Sequence, residues 1–304
     1  MSIALVPGKL FLMGEYSVVK GDSPAIILPT NRTLSVSVQA SHAWIFESDL
    51  EPSFQALDWD DFYPQAFPDL KKILTSFKAH LPLVPLKWTV KSELDDTNHA
   101  YGLGSSGAFT IAMIQATYQY FNILLTEKEL FKLGVLTQND VTSSYGDLAV
   151  QVYRQPIYYR RPEHLFNGLG EVVIEPVKMP LKYLVIHSGQ KVKSAPFVEA
   201  FFGKIKTPAV TRYIRLMNET IEDFRKTPTL SLIKQASDAY IEMANVVHPG
   251  IVSPVLKDII AKITLSKGVA KISGAGGGDN VWAFYEDETT YQALIQNLSS
   301  YSFL

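Results

Sequence analysis

Between Asn98 and Thr126 the chain carries no Asp, Glu, Lys or Arg. The run opens on small residues, Tyr101-Gly102-Leu103-Gly104-Ser105-Ser106-Gly107, and continues as Ala108-Phe109-Thr110-Ile111-Ala112-Met113-Ile114. An apolar stretch of that length has to be covered on all sides, by a membrane or by the rest of a globular domain. Gln115, Gln119 and Asn122 and the glycine-rich start favour a buried helix of a soluble protein. The small residues in front serve another purpose. They free backbone N–H groups at a helix start, where the helix dipole favours negative charge, and successive N–H groups in a tight glycine turn can form an anion nest. The loop from Gly102 to Gly107 therefore reads as a phosphate cradle.

The rest of the chain supplies enough core to bury such a helix. It has 304 residues, 47% of them hydrophobic, which suits one large domain or two ordinary ones. A formal net charge of −2 gives no sign of a nucleic-acid or acidic-membrane partner. Without cysteine there are no disulfides, no thiolate metal sites and no cysteine nucleophile. Pro7, Gly8 and Lys9 interrupt the apolar N-terminus and no basic segment precedes it, so no signal peptide is expected. A cytoplasmic location fits.

Elements follow from pattern. Ile3 to Val6 and Lys9 to Met13 read as two short strands around a Pro7-Gly8 turn. Thr33 to Gln39 alternates, with Leu34, Val36 and Val38 on one face, which predicts a half-buried strand with Ala43 to Glu47 as its hairpin partner. Leu70, Ile73, Leu74 and Phe77 recur at helical spacing, and Leu86 to Val90 reads as a strand. Helices are expected over Phe109 to Phe121 and from Thr126, where Thr126-Glu127-Lys128-Glu129 forms a capping box. Strands follow at Ile157 to Tyr159, Val172 to Ile174 and Tyr183 to Ile186. Helical runs come next, from about Ala195 to Leu265, before Ala270 to Ile272 enters a second glycine loop and Val281 to Tyr285 leaves it. A last helix runs from about Glu288 to Leu298. Hairpins mix with helices rather than alternating strictly, so the class is α+β. Prolines at 176 and 180 bracket a link between strands and suggest a domain boundary there.

Several chemistries are excluded. Gly107 is followed by Ala108 and Phe109, so the glycine loop lacks the P-loop lysine. The protein-kinase signatures are missing. The six histidines are scattered without metal-ligand spacing. Three separated segments remain: Pro7-Gly8-Lys9 with Gly14-Glu15-Tyr16, then Gly102 to Gly107, then Ser273-Gly274-Ala275-Gly276-Gly277-Gly278-Asp279. A glycine turn alone is more often only a turn. Together, in this order and spacing, the three are specific. They resemble the GHMP kinases, the superfamily of galactokinase, homoserine kinase, mevalonate kinase and phosphomevalonate kinase, over nearly the whole chain.

Three details resemble the phosphomevalonate kinase branch. Tyr16 follows Glu15 where mevalonate kinases usually show histidine, Tyr101 introduces the glycine-serine loop without the usual upstream proline, and the last loop reads Lys271 to Asp279. Ser144-Tyr145-Gly146-Asp147-Leu148-Ala149 also looks like that branch's catalytic-aspartate motif. The resemblance implies two domains. Residues 1–177 would form an ATP-binding domain like ribosomal protein S5 domain 2, and 178–304 a ferredoxin-like domain. It implies ATP with Mg²⁺ as phosphoryl donor, held by Gly102, Leu103, Gly104, Ser105, Ser106 and Gly107, with Ser106 the metal ligand. Lys9 and Asp147 would be catalytic. Lys9, Tyr16, Ser144, Asp147, Ser273, Gly274 and Ala275 would bind a small-molecule acceptor, phosphomevalonate, giving 5-diphosphomevalonate. The chain departs from the branch at His99 and Ala100, where basic residues are common, at Arg154-Gln155, where a glycine pair is usual, and at Gln190-Lys191-Val192-Lys193-Ser194, which replaces a small hydroxyl-rich acceptor loop.

The acceptor decides the chemistry. A hydroxyl must lose a proton, which a carboxylate such as Asp147 could take. A phosphate monoester has its second pKa near ~6 and is already largely dianionic. The harder task is then to bring two polyanions together, which calls for cations and N–H dipoles. On that basis Lys9 is the first expected cation, and Asp147 orients Lys9 or assists the metal. Lys191 and Lys193 either add compensating charge or are solvated surface lysines. Glu15 is expected to satisfy backbone N–H groups. The alternatives are mevalonate kinase or another member acting on a hydroxyl, and a non-catalytic ATP-binding relative, against which the intact Lys9, Ser106 and Asp147 argue. No oligomeric state is predicted.

Overall fold

The computed structural model describes residues 1–95, 101–140, 143–166, 168–190, 195–278 and 280–304. His99, Ala100, Lys191 to Ser194 and Asp279, singled out above, lie outside the described residues. In chain order the elements begin with β1 (Ser2–Met13), α1 (Ser17–Lys20), β2 (Pro24–Ala40), β3 (Trp44–Ser48), β4 (Phe54–Ala56), α2 (Trp59–Phe62), α3 (Pro68–His80) and β5 (Leu86–Ser92). Next come α4 (Ser105–Tyr120), α5 (Glu127–Gln138), α6 (Gly146–Tyr153), β6 (Ile157–Arg160), β7 (Val173–Pro176) and β8 (Lys182–His187). The chain ends with α7 (Ala195–Gly203), α8 (Pro208–Lys226), α9 (Leu230–Val247), α10 (Pro254–Leu265), β9 (Val269–Ile272), β10 (Asn280–Tyr285), α11 (Glu288–Asn297) and β11 (Ser302–Phe303). Contacts divide the chain into two compact units: Met1–Lys9 with Pro29–Arg154, and Leu10–Leu28 with Gln155–Leu304.

In the first unit the sheet runs β4-β3-β5-β2. The alternation predicted for β2 is present: Leu34, Val36 and Val38 are buried, and Val36 and Val38 stand opposite Val90 and Trp88 of β5. β3 is not the hairpin partner of β2. It pairs in parallel with β5, which lies between them. Apolar pairing with Val90 and Trp88 outweighs sequence proximity here, as cross-strand packing generally does. The stripe Leu70, Ile73, Leu74 and Phe77 is the buried face of α3. In α4 every residue from Gly107 to Ile114 is buried, and α3, α5 and α6 pack around it. Among the described residues no helix is long and apolar enough to cross a membrane. The capping box of α5 is complete: Glu129 N–H donates to Thr126 Oγ1, and Thr126 N–H donates to Glu129 Oε2 at 2.8 Å.

The opening is one continuous strand rather than a pair around a turn. Gly8 serves close approach instead: a Cβ there would lie 2.6 Å from Thr30 Oγ1 and 2.9 Å from Leu94 Cδ2. In the second unit the N-terminal residues of β2 pair with β6, and β6 with β7. A separate antiparallel sheet runs β11-β8-β10-β9. Helices α9, α10 and α11 pack on its strands, and α8 packs on α9. The two-residue β11, which pairs with β8, is too short to leave a periodic signal. The fold is a mixed α/β arrangement of two domains.

Candidate active site

In the first unit β1 delivers Lys9 to the glycine loop. Its backbone N–H donates to Leu103 O at 2.8 Å, and its Nζ donates to Gly102 O at 3.1 Å. Gly104, at φ 78°, lets the lysine stem pass: a Cβ there would lie 2.9 Å from both Lys9 Cγ and Cε. The loop ends sooner than the sequence pattern predicts. Ser105, Ser106 and Gly107 already form the first turn of α4, where backbone N–H groups have no partner within the helix. The cradle is thus a left-handed glycine turn feeding a helix N-terminus, with an ammonium beside it.

Asp147 lies in the first turn of α6. A Cβ on Gly107 would sit 3.0 Å from Asp147 Oδ2 and 2.6 Å from Gln151 Oε1, so only glycine lets α4 approach α6 this closely. The start of α6 is held by hydroxyls. Tyr145, at φ 58°, accepts the Asp140 N–H on its phenol oxygen at 2.6 Å. Ser143 Oγ and Ser144 Oγ accept the N–H groups of Tyr145 and Gly146. A non-glycine residue in this left-handed region costs about 1–3 kcal/mol and persists only where its surroundings fix it. The first unit therefore brings together Lys9, the Gly102–Gly107 loop, Ser144 and Asp147.

Two residues there escaped the sequence reading. Gln151, fully buried, donates from Nε2 to Gly104 O at 2.8 Å and so fixes the turn from beneath. It stands four residues after Asp147 on the same helix face, which was the available signal. Asp69, in the first turn of α3, accepts the Ser106 hydroxyl on Oδ2 at 2.8 Å; nothing local in the sequence marks that pairing. Among the described residues no group of three or more His, Cys, Asp or Glu could hold a metal. A hydroxyl and a carboxylate side by side suit Mg²⁺, which binds through one or two protein oxygens and otherwise through phosphates and water.

The second unit holds the other predicted residues, Tyr16, Ser273, Gly274 and Ala275. Ser273 Oγ donates to Phe11 O at 2.8 Å. Tyr16, at φ 64°, is buried and donates its hydroxyl to Ala275 O at 2.5 Å. Glu15 does not serve backbone N–H groups as expected. Its Oε1 takes the Lys271 ammonium at 2.7 Å, with the two side chains 2% and 0% exposed. Lys271 also donates to Ile272 O and lies 4.6 Å from the centre of the Tyr240 ring. Burial pulls the Lys271 pKa below its ordinary value, and the Glu15 charge and hydrogen bond oppose that. The same burial raises Tyr16, Tyr213 and Tyr240, which keeps their phenols protonated as donors. A lysine that begins a glycine motif gives no sequence sign that it will be buried.

In the first unit, a glycine turn at a helix N-terminus with an ammonium beside it suits a small-molecule phosphotransferase. Comparison with known proteins agrees. The GHMP kinases N terminal domain matches residues 69–155, and the GHMP kinases C terminal domain matches residues 222–302. The chain belongs to the GHMP kinases, a family of phosphotransferases. A phosphomevalonate kinase of Streptomyces sp. (strain CL190) is 28% identical over 326 residues, covering 90% of this chain and 87% of its own. A mevalonate kinase of Archaeoglobus fulgidus is 24% identical, covering 96% and 95%. Among solved structures, Streptococcus pneumoniae phosphomevalonate kinase in complex with phosphomevalonate and AMPPNP shares the fold, with a TM-score of 0.85 at 21% identity over 100% of this chain and 98% of that one.

Proposed function

We propose that this chain is a kinase of the mevalonate pathway that moves the γ-phosphoryl group of ATP onto the phosphate of 5-phosphomevalonate. The observation that carries it is the Lys9 ammonium, 3.1 Å from the Gly102 carbonyl at the edge of the glycine cradle. A loop without a P-loop lysine has here acquired a cation from β1, and a phosphate acceptor needs a cation more than a base. The Tyr16 and Tyr101 details of the sequence and the relatives of the same activity support the choice of acceptor.

The residues fit the donor. Gly102 to Gly107 offer N–H groups to the phosphates, and Ser106 with Asp69 would hold Mg²⁺. Bound there, MgATP supplies the phosphoryl group and part of the charge neutralisation. Lys9 screens the acceptor and the transferring group. Asp147, at a helix N-terminus, orients that charge and takes no proton from an acceptor that is already ionised. Ser273, Gly274 and Ala275 hold the acceptor.

The second reading, mevalonate kinase, is favoured by the mevalonate kinases among the relatives; there Asp147 would take the hydroxyl proton. ADP release followed with each acceptor in turn, with Mg²⁺ present, separates the two. Turnover with 5-phosphomevalonate is expected. Turnover with mevalonate alone overturns the proposal, and ATP binding without turnover on either points to a non-catalytic relative.

A further inference from the structure

The second glycine loop is pinned from one side by phenols. Tyr240, fully buried, donates its hydroxyl to Gly274 O at 3.1 Å, and Tyr16 donates to Ala275 O at 2.5 Å. Gly277 N–H donates to Ile251 O at 2.7 Å. Among the described residues no peptide bond is cis. In a planar trans peptide the carbonyl and the following N–H point in opposite directions. Drawing the carbonyls of Gly274 and Ala275 onto the two phenols therefore turns the N–H groups of Ala275 and Gly276 to the other side of the loop. Gly274 and Gly276 have φ of 74° and 75° on either side of Ala275, which keeps a negative φ. This alternation is what gathers successive N–H groups into an anion nest.

The phenols are themselves held. Tyr16 stacks on Phe201 at 5.2 Å and lies 6.0 Å from the Tyr240 ring. The Lys271 ammonium sits on the face of Tyr240 and is locked by Glu15. Gly276 has no room for a side chain, since a Cβ would meet Ile251 O at 2.3 Å and the Tyr240 hydroxyl at 2.8 Å.

We propose that Tyr16 and Tyr240 are positioning residues: by holding the carbonyls of Gly274 and Ala275 they aim the N–H groups of Ala275 and Gly276 at the anionic group of the acceptor. The choice of a phosphate as that group rests on the function proposed above. Tyr16, expected from sequence to touch substrate, acts in this arrangement through the loop. The positioning claim has its own control. Tyr213 is equally buried, and its hydroxyl donates to Glu15 O at 2.6 Å rather than to the loop.

The test compares Tyr16→Phe, Tyr240→Phe and Tyr213→Phe by calorimetric binding of 5-phosphomevalonate, steady-state KM for acceptor and for ATP, and Tm. Tyr16→Phe and Tyr240→Phe should each weaken acceptor binding about 5- to 10-fold, the worth of one lost orienting hydrogen bond. KM for ATP should stay within about twofold, and Tyr213→Phe should lower Tm without weakening acceptor binding. Unchanged acceptor binding in both Tyr16→Phe and Tyr240→Phe overturns the proposal. So does an equal loss for Tyr213→Phe, or a parallel rise in both KM values. If the wild-type enzyme uses only mevalonate, the acceptor assignment fails, and the same comparison is read with mevalonate and its carboxylate. The same split then supports the positioning role, and its absence overturns it.

Discussion

Replacing Glu15 with Leu strands the Lys271 ammonium in a site from which water is excluded. The ion pair is 2.7 Å long, and neither partner is more than 2% exposed. The variant can relieve the charge by releasing the lysine proton on folding, and that route limits the damage. The ordinary lysine pKa is 10.5, so at pH 7 neutralising the group costs at most about 4.8 kcal/mol, at about 1.36 kcal/mol per pH unit. Breaking a buried pair by removing one partner typically costs ~3–5 kcal/mol, in agreement. The Ile272 carbonyl and Tyr240 ring remain as partners of the ammonium, so the true cost lies at or below the limit. Because the relief is deprotonation, the limit shrinks with pH, to about 2 kcal/mol at pH 9. At ~2–4 °C per kcal/mol, Tm should drop by up to about 10–20 °C at pH 7 but only about 4–8 °C at pH 9. Thermal melts of wild type and Glu15→Leu at both pH values measure this. A Glu15→Leu/Lys271→Met double variant should recover most of the loss, since a buried pair can be replaced by packed apolar groups at little cost. A pH-independent deficit, or one below about 1 kcal/mol at pH 7, would refute the reasoning.

Further outcomes follow from the same geometry. Lys9→Ala should abolish turnover, whereas Asp147→Asn should be milder, with activity falling less than in Lys9→Ala; equal loss in steady-state assays would remove the orienting role of Asp147. Gln151→Leu deletes the donor to Gly104 O and should raise the KM for ATP about 10-fold, with acceptor KM the comparison that shows whether the effect is confined to the first loop. Burial, and then the hydrogen bond and charge of Glu222, push Tyr158 up to about 12 from an ordinary 10.0. The folded state therefore keeps a proton that the unfolded state loses, so this contribution to stability is complete below pH 10 and disappears as pH rises from 10 to about 12. The stability gap between wild type and Tyr158→Phe, followed in chemical denaturation, should narrow over that window.

What the sequence showed was local or periodic. The stripe of α3, the alternation of β2 and the Thr126 capping box each need only a few neighbouring residues to be recognised, and each is present. Pro7-Gly8 misled because the pair is a turn signal in isolation. Its glycine answers to Thr30 and Leu94, far along the chain. β3 went to β5 rather than back to β2 because register is decided by apolar partners that arrive later in the sequence. In the first unit the motifs single out Lys9 and Asp147, which the fold places at the glycine loop and in the first turn of α6. Gln151 is marked only by its four-residue spacing from Asp147, and Asp69, Lys271 and Tyr240 by nothing local, because each acts on a backbone carbonyl, hydroxyl or carboxylate brought near only by folding.

The identity of the acceptor is tested most directly by phosphorus NMR of the product. With 5-phosphomevalonate and MgATP, the phosphomonoester resonance should decay into two mutually coupled diphosphate resonances beyond those of ADP. Persistence of the phosphomonoester signal, together with a new phosphomonoester formed from mevalonate, would contradict a phosphate acceptor and assign the Lys9–Asp147 site to a hydroxyl.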